Sequence, residues 1–348
     1  MEIRVYDPQL DLRGIIENQT SLIWRRKYFE PGEFELYAPI TSFNLQVLTI
    51  GNLITMYGQD DAGIIEDVKC EENPQKNGIV VKGRFLAAYM DRRLIKGTVM
   101  VSGPIEQSMR SLLEGATPIP LLEMGKLQGF PEGATGQITY KNLLKFMGKL
   151  ARAGNLGFRF RPDFNRKKIV FEVYKGVDRS IQQTKNNRVT FSENYDNLNQ
   201  ATYRANDQNY ANVAYVLGVN REDKETIVVT GETEAVGLER REMYVDASGI
   251  NAADFTPEEF RKALEQEGKN ALDEKSMSET FECDTEANGN FVYRKNYDLG
   301  DIVTVKKTSW RMQRSLRITE LQETYEYGSM VVTPTLGNPL PTAIDWEG

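Results

Sequence analysis

The sequence predicts an α+β fold, mainly β, in which two similar small antiparallel β-barrels carry inserted αβ modules. Three observations lead to this prediction. Strand-like runs rich in Val, Ile and Tyr occupy both ends of the chain. The pattern GNLITMY followed by GIIEDV, within residues 51–68, returns as GDIVTV followed by LRITEL, within residues 300–321. Stretches with helical periodicity interrupt the strands and predict the inserted modules.

Residues 1–88 form the first predicted barrel. Five strand-like runs, IRVYD, LIWRRKYFEPGEFELYAP, LITMYG, GIIEDVKCE and GIVVKGRF, are separated by Gly, Asn and Asp turns. The Glu-Pro-Gly sequence at 30–32 predicts a hairpin turn. We expect Trp24, Phe34 and Leu36 in the core of this barrel, and an aromatic ligand-binding patch is the alternative.

Residues 89–186 predict an αβ module with two helices and a hairpin. Gly103-Pro104 opens the first helix, with Pro at the first helical position. The second helix runs from about Tyr140 to Ala153, and Gly154 ends it. The apolar faces predicted for the two helices are Ile105, Met109, Leu112 and Leu113, and Leu143, Leu144, Met147, Leu150 and Ala151.

The hairpin of this module, GFRFRPDFNRKKIVFEVY, alternates on both arms around a Pro-Asp-Phe-Asn turn. Its basic residues form a cluster of Arg159, Arg161, Arg166, Lys167 and Lys168. We interpret the cluster as a solvated strand face, and a DNA-facing patch is the alternative.

Residues 187–230 with 282–348 form the second predicted barrel, and residues 231–281 form a helix-containing insertion. The helix has the best start signals in the chain: Thr256 as the cap, Pro257, Glu259 closing a capping box, and a staple of Phe255 on Phe260. It is expected to reach about Lys275, with Gly268 as a weak point.

Composition excludes several kinds of chemistry. The chain has no histidine, which rules out Ser–His–Asp and Cys–His catalysis and His-dependent zinc sites. A net charge of −7 argues against tight binding of nucleic acid but allows a surface that DNA passes. The two cysteines, Cys70 and Cys283, are expected to be isolated buried thiols.

Targeting signals are not evident. No apolar run approaches the ~18 residues of a membrane span. The N-terminus, MEIRVYDPQL, reads as a charged strand and not as a signal peptide, so synthesis inside the cell is expected.

The sequence contains no motif that indicates catalytic, cofactor-binding or metal-binding residues. Phosphate loops, dinucleotide fingerprints, nucleophile elbows and Ser-x-x-Lys are missing from the sequence. The stretch DTEANG (284–289) begins like a calcium loop, but the twelfth position is Lys295, so we predict a turn with Asn288-Gly289 at its tip. The sequence neither supports nor rejects a pair of carboxylates suited to glycosidase chemistry.

The order of motifs resembles that of the tail-tip hub proteins of phages with long non-contractile tails. This family includes the N-terminal structural part of tail-associated lysins and is related to the baseplate hub of contractile tails. The matching stretches are WRRKYFEPGEFELYAP (24–39), GNLITMYGQDDAGIIEDV (51–68), VKGRFLAAYMDRR (81–93), YKGVDRS (174–180), VTFSENYDNLNQATY (189–203), VGLERREMYVDAS (236–248) and YDLGDIVTV (297–305).

The resemblance implies a structural, hub-like protein of the virion tail tip, assembled in the cytoplasm of the bacterial host. It implies a homotrimer whose six barrels form a pseudo-sixfold ring on the distal tail protein. The tail fibre or receptor-binding protein would lie below, and DNA and the tape-measure protein would pass through the centre. A trimer matches a sixfold partner when each chain supplies two equivalent units, which accounts for the repeat.

Enzymatic activity and cofactors are not expected. Relatives with cell-wall activity carry it in a long C-terminal extension, whereas this chain ends at Gly348. The alternatives are a hydrolase acting on cell-wall carbohydrate and a carbohydrate- or receptor-binding module.

Overall fold

The computed structural model describes residues 1–72, 77–195, 197–198, 201–222, 224–283, 285–286, 290–326 and 328–337. Strands predominate, as the sequence predicts, and four α-helices lie within the described residues. The turn predicted at Asn288-Gly289, with most of the calcium-like stretch, lies outside these residues.

The first half of the chain contains twelve described strands. They are β1 (Ile3–Tyr6), β2 (Leu12–Ile16), β3 (Ser21–Lys27), β4 (Glu33–Ala38), β5 (Leu53–Met56), β6 (Gly63–Glu72), β7 (Asn77–Phe85), β8 (Thr98–Pro104), β9 (Leu122–Met124), β10 (Gly133–Thr139), β11 (Gly157–Asp163) and β12 (Lys168–Tyr174).

Ten described strands follow in the second half. They are β13 (Thr190–Ser192), β14 (Ala201–Asn206), β15 (Val213–Val219), β16 (Glu225–Gly231), β17 (Glu242–Asp246), β18 (Ser278–Cys283), β19 (Thr285–Glu286), β20 (Ile302–Lys307), β21 (Met312–Glu326) and β22 (Ser329–Gly337). The helices are α1 (Ser42–Val47), α2 (Ile105–Gly115), α3 (Leu143–Gly154) and α4 (Pro257–Glu274).

Most of the strands form one large sheet. Its order is β14-β18-β22-β21-β3-β4-β7-β6-β5-β1-β2, with β20 beside β21, β13 beside β20, and β19 beside β22. The path ends at β14 and β2, and these strands are not paired with each other in the described residues. The pairing therefore gives one continuous sheet, and no closed barrel appears among the described strands.

Two parts of the sheet have the same topology. In repeat A, defined as β3 to β7, the neighbours run β5-β6-β7-β4-β3. In repeat B, defined as β14, β18 and β20 to β22, they run β20-β21-β22-β18-β14. Every pair in both series is antiparallel, and each series follows the same order along the chain. The two repeats are thus the same five-stranded unit.

The repeated sequence pattern marks the same turn in both repeats. Gly51 and Gly300 take positive φ angles, 92° and 90°, at the third position of a β-turn. The Gly51 N–H donates to the Ile65 carbonyl at 2.9 Å, and the Ile65 N–H donates to the Asn52 carbonyl at 2.8 Å. Gly300 and Ile318 make the equivalent pair of bonds, and a register shift follows Ile65 in one repeat and Ile318 in the other. The predicted correspondence between the two segments is confirmed.

The core of repeat A follows the sequence prediction. The connection 28–32, which includes the predicted turn residues 30–32, joins β3 to β4. Trp24 and Leu36 are fully buried and Phe34 nearly so, with the rings of Trp24 and Phe34 5.9 Å apart. These residues are core, so they do not form the alternative ligand-binding patch.

The predicted helices α2 and α3 are present, with corrections at their ends. Pro104 is the N-cap of α2 and closes β8, because its ψ of 132° is extended; it does not take the first helical position. The α3 helix begins after Asn142, whose side chain accepts from Lys145 N–H. It ends at Asn155, which takes the left-handed conformation, so Gly154 is its last residue and not its stop.

A separate unit is inserted between β14 and β18, the strands equivalent to β3 and β4. It consists of a sheet in the order β16-β15-β17 with α4 packed on one face. The runs 213–219 and 225–231, which the sequence assigns to the second barrel, form β15 and β16 instead. β15 pairs with β16 and β17, and neither strand pairs with the large sheet in the described residues. The insertion takes the place of the short connection 28–32 that joins β3 to β4 in repeat A.

The start of α4 matches the prediction. Thr256 and Glu259 form the reciprocal bonds of a capping box, and Pro257 is in the first turn. The rings of Phe255 and Phe260 lie 6.4 Å apart. Gly268 does not interrupt the helix; a Cβ there would lie 2.4 Å from Thr230, so the glycine permits close helix–sheet packing.

Two further expectations concern the thiols and membrane spans. Cys283 is buried, whereas Cys70 is exposed on β6, so the expectation of a buried thiol is wrong for Cys70. The helices of the described chain include none that combines the length and apolarity needed to cross a membrane.

We predict that Met147→Asp lowers the free energy of unfolding by several kcal/mol, about 3 to 5, because it places an unpaired charge among α2 and α3 side chains. Chemical denaturation measures the change. The matched control is Lys145→Asp, at an exposed position of the same helix. If both variants unfold at the wild-type midpoint, the assignment of the buried face is wrong.

Candidate functional site: the junction between the two repeats

The two repeats join where β21 of repeat B pairs antiparallel with β3 of repeat A. The register runs from Lys27 opposite Glu320 to Ser21 opposite Glu326, with Trp24 opposite Glu323. Almost the whole chain lies between these two strands in sequence. The junction therefore determines how repeat A and repeat B are positioned relative to each other.

A buried arginine lies at the centre of this junction. Arg26 contacts Asp61 at 3.0 Å, Asp298 at 2.6 Å and the Tyr293 hydroxyl at 3.0 Å. Burial alone would lower the pKa of Arg26, but Tyr293 and the two carboxylates outweigh that effect and raise it. The guanidinium therefore stays charged and joins β3 of repeat A to the segment that precedes β20.

Glu323 is the acidic counterpart on β21 and is fully buried. Its carboxylate accepts from Tyr293 at 2.7 Å, Tyr325 at 2.6 Å and Arg294 at 3.0 Å. Burial raises the pKa of both tyrosines, so both hydroxyls stay protonated and donate. Tyr293 accepts from Arg26 and donates to Glu323, which links the two buried charges in one network.

Four of the five residues in the predicted basic cluster on the β11–β12 hairpin pair with carboxylates. Arg159 and Arg161 each donate to Glu172 at 2.9 Å. Arg166 binds Glu123 through two nitrogens, and Lys167 pairs with Asp11. The sequence turn at 162–165 lies at 164–167 in the structure, because Asp163 still pairs with Lys168. The arrangement favours the solvated-face interpretation over a DNA-binding patch.

No catalytic or metal-binding residues were proposed from the sequence, and the described residues contain no group of three or more Asp, Glu or Cys placed to hold a metal ion.

The Arg26–Glu323 network was not predicted from the sequence. A signal was present: Leu22, Trp24 and Arg26 alternate on one face of a strand, so the arginine takes an inward position and needs a buried acidic partner.

We predict that Arg26→Met lowers the free energy of unfolding by about 3 to 5 kcal/mol, because it leaves Asp61 buried without its cation. Urea denaturation measures the loss. The control is Arg25→Met on the same strand; that side chain is 37% exposed beside Glu33, and its loss costs about 1 kcal/mol or less. Equal losses in the two variants would contradict a structural role for the buried network.

We also predict an acid-dependent contribution from Glu172. Burial alone would raise its pKa, but hydrogen bonds and charge from Arg161 and Arg159 outweigh burial and lower it. A lowered folded-state pKa stabilises the protein above the unfolded value of about 4.3, and the contribution disappears as pH falls through the folded value. Glu172→Gln should therefore be destabilising at pH 7 and approach wild type near pH 3.

Urea denaturation at pH 7, 5 and 3 measures this difference. Glu123→Gln is the control, because its pair with Arg166 is more exposed and contributes less. A Glu172→Gln effect of the same size at all three pH values would contradict the assignment.

Comparison with known proteins addresses the fold as a whole. The structure is similar to a tail protein from Neisseria meningitidis MC58, with TM-score 0.62, 14% identity, and coverage of 97% of this chain and 96% of that chain. It is similar to the 43 kDa tail protein of prophage MuSo2 from Shewanella oneidensis, with TM-score 0.62, 12% identity and coverage of 97% and 98%. It is also similar to prophage tail protein gp18 from Listeria monocytogenes EGD-e, with TM-score 0.56, 12% identity, and coverage of 98% of this chain and 96% of that chain.

At these identities the likeness shows a shared fold. No curated protein sequence matches the chain. A family model described as Siphovirus ReqiPepy6 Gp37-like protein matches residues 2–338. The resemblance to phage tail proteins drawn from the sequence is therefore confirmed, and the chain belongs to the Siphovirus ReqiPepy6 Gp37-like protein family.

Proposed function

We propose that this protein is a structural component of a phage or prophage tail and forms a trimeric hub at the tail tip. Membership of a siphovirus protein family and a fold shared with three tail proteins support a tail role. The hub lies in the virion and is assembled in the cytoplasm of the bacterial host.

The observation that carries the proposal is the duplication. Repeats A and B share strand order, the glycine turn and the register shift, and they join edge to edge through β21 and β3. Three chains supply six such units, which lets a trimer dock on a sixfold tail tube.

We propose that each repeat, with its flanking strands, forms one barrel-like sector of the ring. Residues 1–88 hold the first sector, and β14, β18 and β20 to β22 hold the second. Residues 89–186 and the β15–β17 and α4 insertion project from the ring as side modules.

The hub joins the distal tail ring to the fibre or receptor-binding protein, and the tape-measure protein and then DNA pass through it. Its lumen is neutral to acidic, because a basic lining would retain a passing polyanion. The net charge of −7 and the carboxylate partners of Arg159, Arg161 and Arg166 support this assignment. The protein has no catalytic role and needs no cofactor.

A carbohydrate- or receptor-binding role is the second candidate. The face of the β15–β17 sheet opposite α4 exposes Ile227 by 61% and Tyr244 by 62%. Exposed apolar and aromatic side chains of this kind are common in contact surfaces. Binding of the isolated protein to host cells without a fibre would favour this candidate, and cell-wall lysis in a zymogram would favour a hydrolase.

Light scattering tests the proposed assembly. We expect a trimer, either of the purified protein alone or after mixing with its distal tail partner, and a central channel wide enough for duplex DNA in electron micrographs. A stable dimer in both conditions would overturn the hub. A ring whose lumen is lined by Arg159 to Lys168 would overturn the electrostatic part alone.

A further inference from the structure

We propose that neighbouring copies in the ring join edge to edge, with β6 of one copy pairing antiparallel with β14 of the next. The inference rests on the proposed trimer and names the surface that closes it. Within one chain, β21 of repeat B pairs with β3 of repeat A. The strand order makes β6 the equivalent of β21 and β14 the equivalent of β3. The same junction with the repeats exchanged therefore joins β6 to β14.

Both strands have the edge that such pairing needs. Among the described strands, β14 has a sheet neighbour on one side only, which is β18. Beyond Ile65, β6 has β7 on one side and no described strand on the other. An open strand edge is a template for pairing with another chain, and here the two edges lie at opposite ends of the strand series, as those of β21 and β3 do.

Residues on β6 and β14 are less buried in the single chain than the equivalent residues on β21 and β3. The register shift aligns Leu321 with Val68 and Glu323 with Cys70. Leu321 and Glu323, which lie where β21 pairs with β3, are fully buried, whereas Val68 is half-buried and Cys70 is exposed. On the facing strand, fully buried Trp24 corresponds to Tyr203, which is half-buried.

The internal junction also gives the register of the external one. Glu323 opposite Trp24 becomes Cys70 opposite Tyr203 of the next copy. Leu321 opposite Arg26 becomes Val68 opposite Ala205 of the next copy. Directly opposite residues of antiparallel strands have Cα atoms about 4.5 to 5.5 Å apart, which is within the range of a disulfide.

Charge distinguishes the two junctions. Arg26 and Glu323 belong to the buried ionic network, and their equivalents Ala205 and Cys70 carry no ionised group of that kind. The external junction therefore has no counterpart of the Arg26–Glu323 network, and its inward pairs are Val68 with Ala205 and Cys70 with Tyr203. Its one like-charge pair, Lys69 opposite Arg204, is offset by Glu71, which lies 2.7 Å from Lys69.

Disulfide trapping tests the register. Tyr203→Cys in a Cys283→Ala background leaves Cys70 as the natural partner across the junction, and the Ala substitution removes a competing thiol on β18. Mild oxidation of the assembled protein should give covalent dimers and trimers on a non-reducing gel. Adding Cys70→Ser should abolish them. The matched control is Arg204→Cys in the same background, on the same strand with its side chain on the other face; it should stay monomeric on the gel.

A second pair of cysteine substitutions tests the same register if the Tyr203→Cys variant misfolds. Val68→Cys with Ala205→Cys, in a chain with Cys70→Ser and Cys283→Ala, should give the same ladder, because these positions are also opposite each other. Light scattering is run on every variant before oxidation. A trimer that forms no disulfide with either pair overturns the β6–β14 pairing and leaves the hub intact. Absence of a trimer in every condition, with or without the distal tail partner, overturns the hub and this inference together.

Discussion

The pairing of β21 with β3 is the contact on which the rest of the structure depends, because it merges two repeats into a single sheet. Its register is specified by inward charges. A slip of one residue would turn Arg26 away from Asp61 and Glu323 away from Tyr293, leaving both partners buried and unpaired. Because a misaligned pairing leaves buried charges without partners, the network defines one arrangement, which a purely apolar pairing of two similar units would leave open.

The two repeats keep the backbone and change the side chains. Both retain the glycine turn. Both also retain a buried threonine two residues after the start of the strand that follows this turn, Thr55 in repeat A and Thr304 in repeat B. The strands that face each other within the chain carry Arg26 and Glu323, and the equivalent strands carry Ala205 and Cys70. Duplication followed by this divergence gives two edges that do not present the same chemistry, so each repeat has a defined neighbour.

Short sequence motifs predicted the parts of the fold that depend on a few adjacent residues. A positive φ at Gly51 and Gly300, and the capping box of Thr256 with Glu259, involve a few adjacent residues. The position of β15 was predicted wrongly, because an apolar alternating strand does not encode which sheet it joins. The Arg26 network was missed for a related reason: its partners come from segments far apart in sequence, and only the β3–β21 register brings them together.

The insertion between β14 and β18 enters and leaves the sheet at one point, because Asn206 and Ser278 are paired neighbours at the base of the hairpin. Its own core of α4 on β15 and β16 shares no strand with the large sheet. A unit attached in this way can be replaced, or shortened to a connection like residues 28–32, without a change in the register of the large sheet. This part of the chain can therefore diversify between related tail proteins while the duplicated scaffold stays the same.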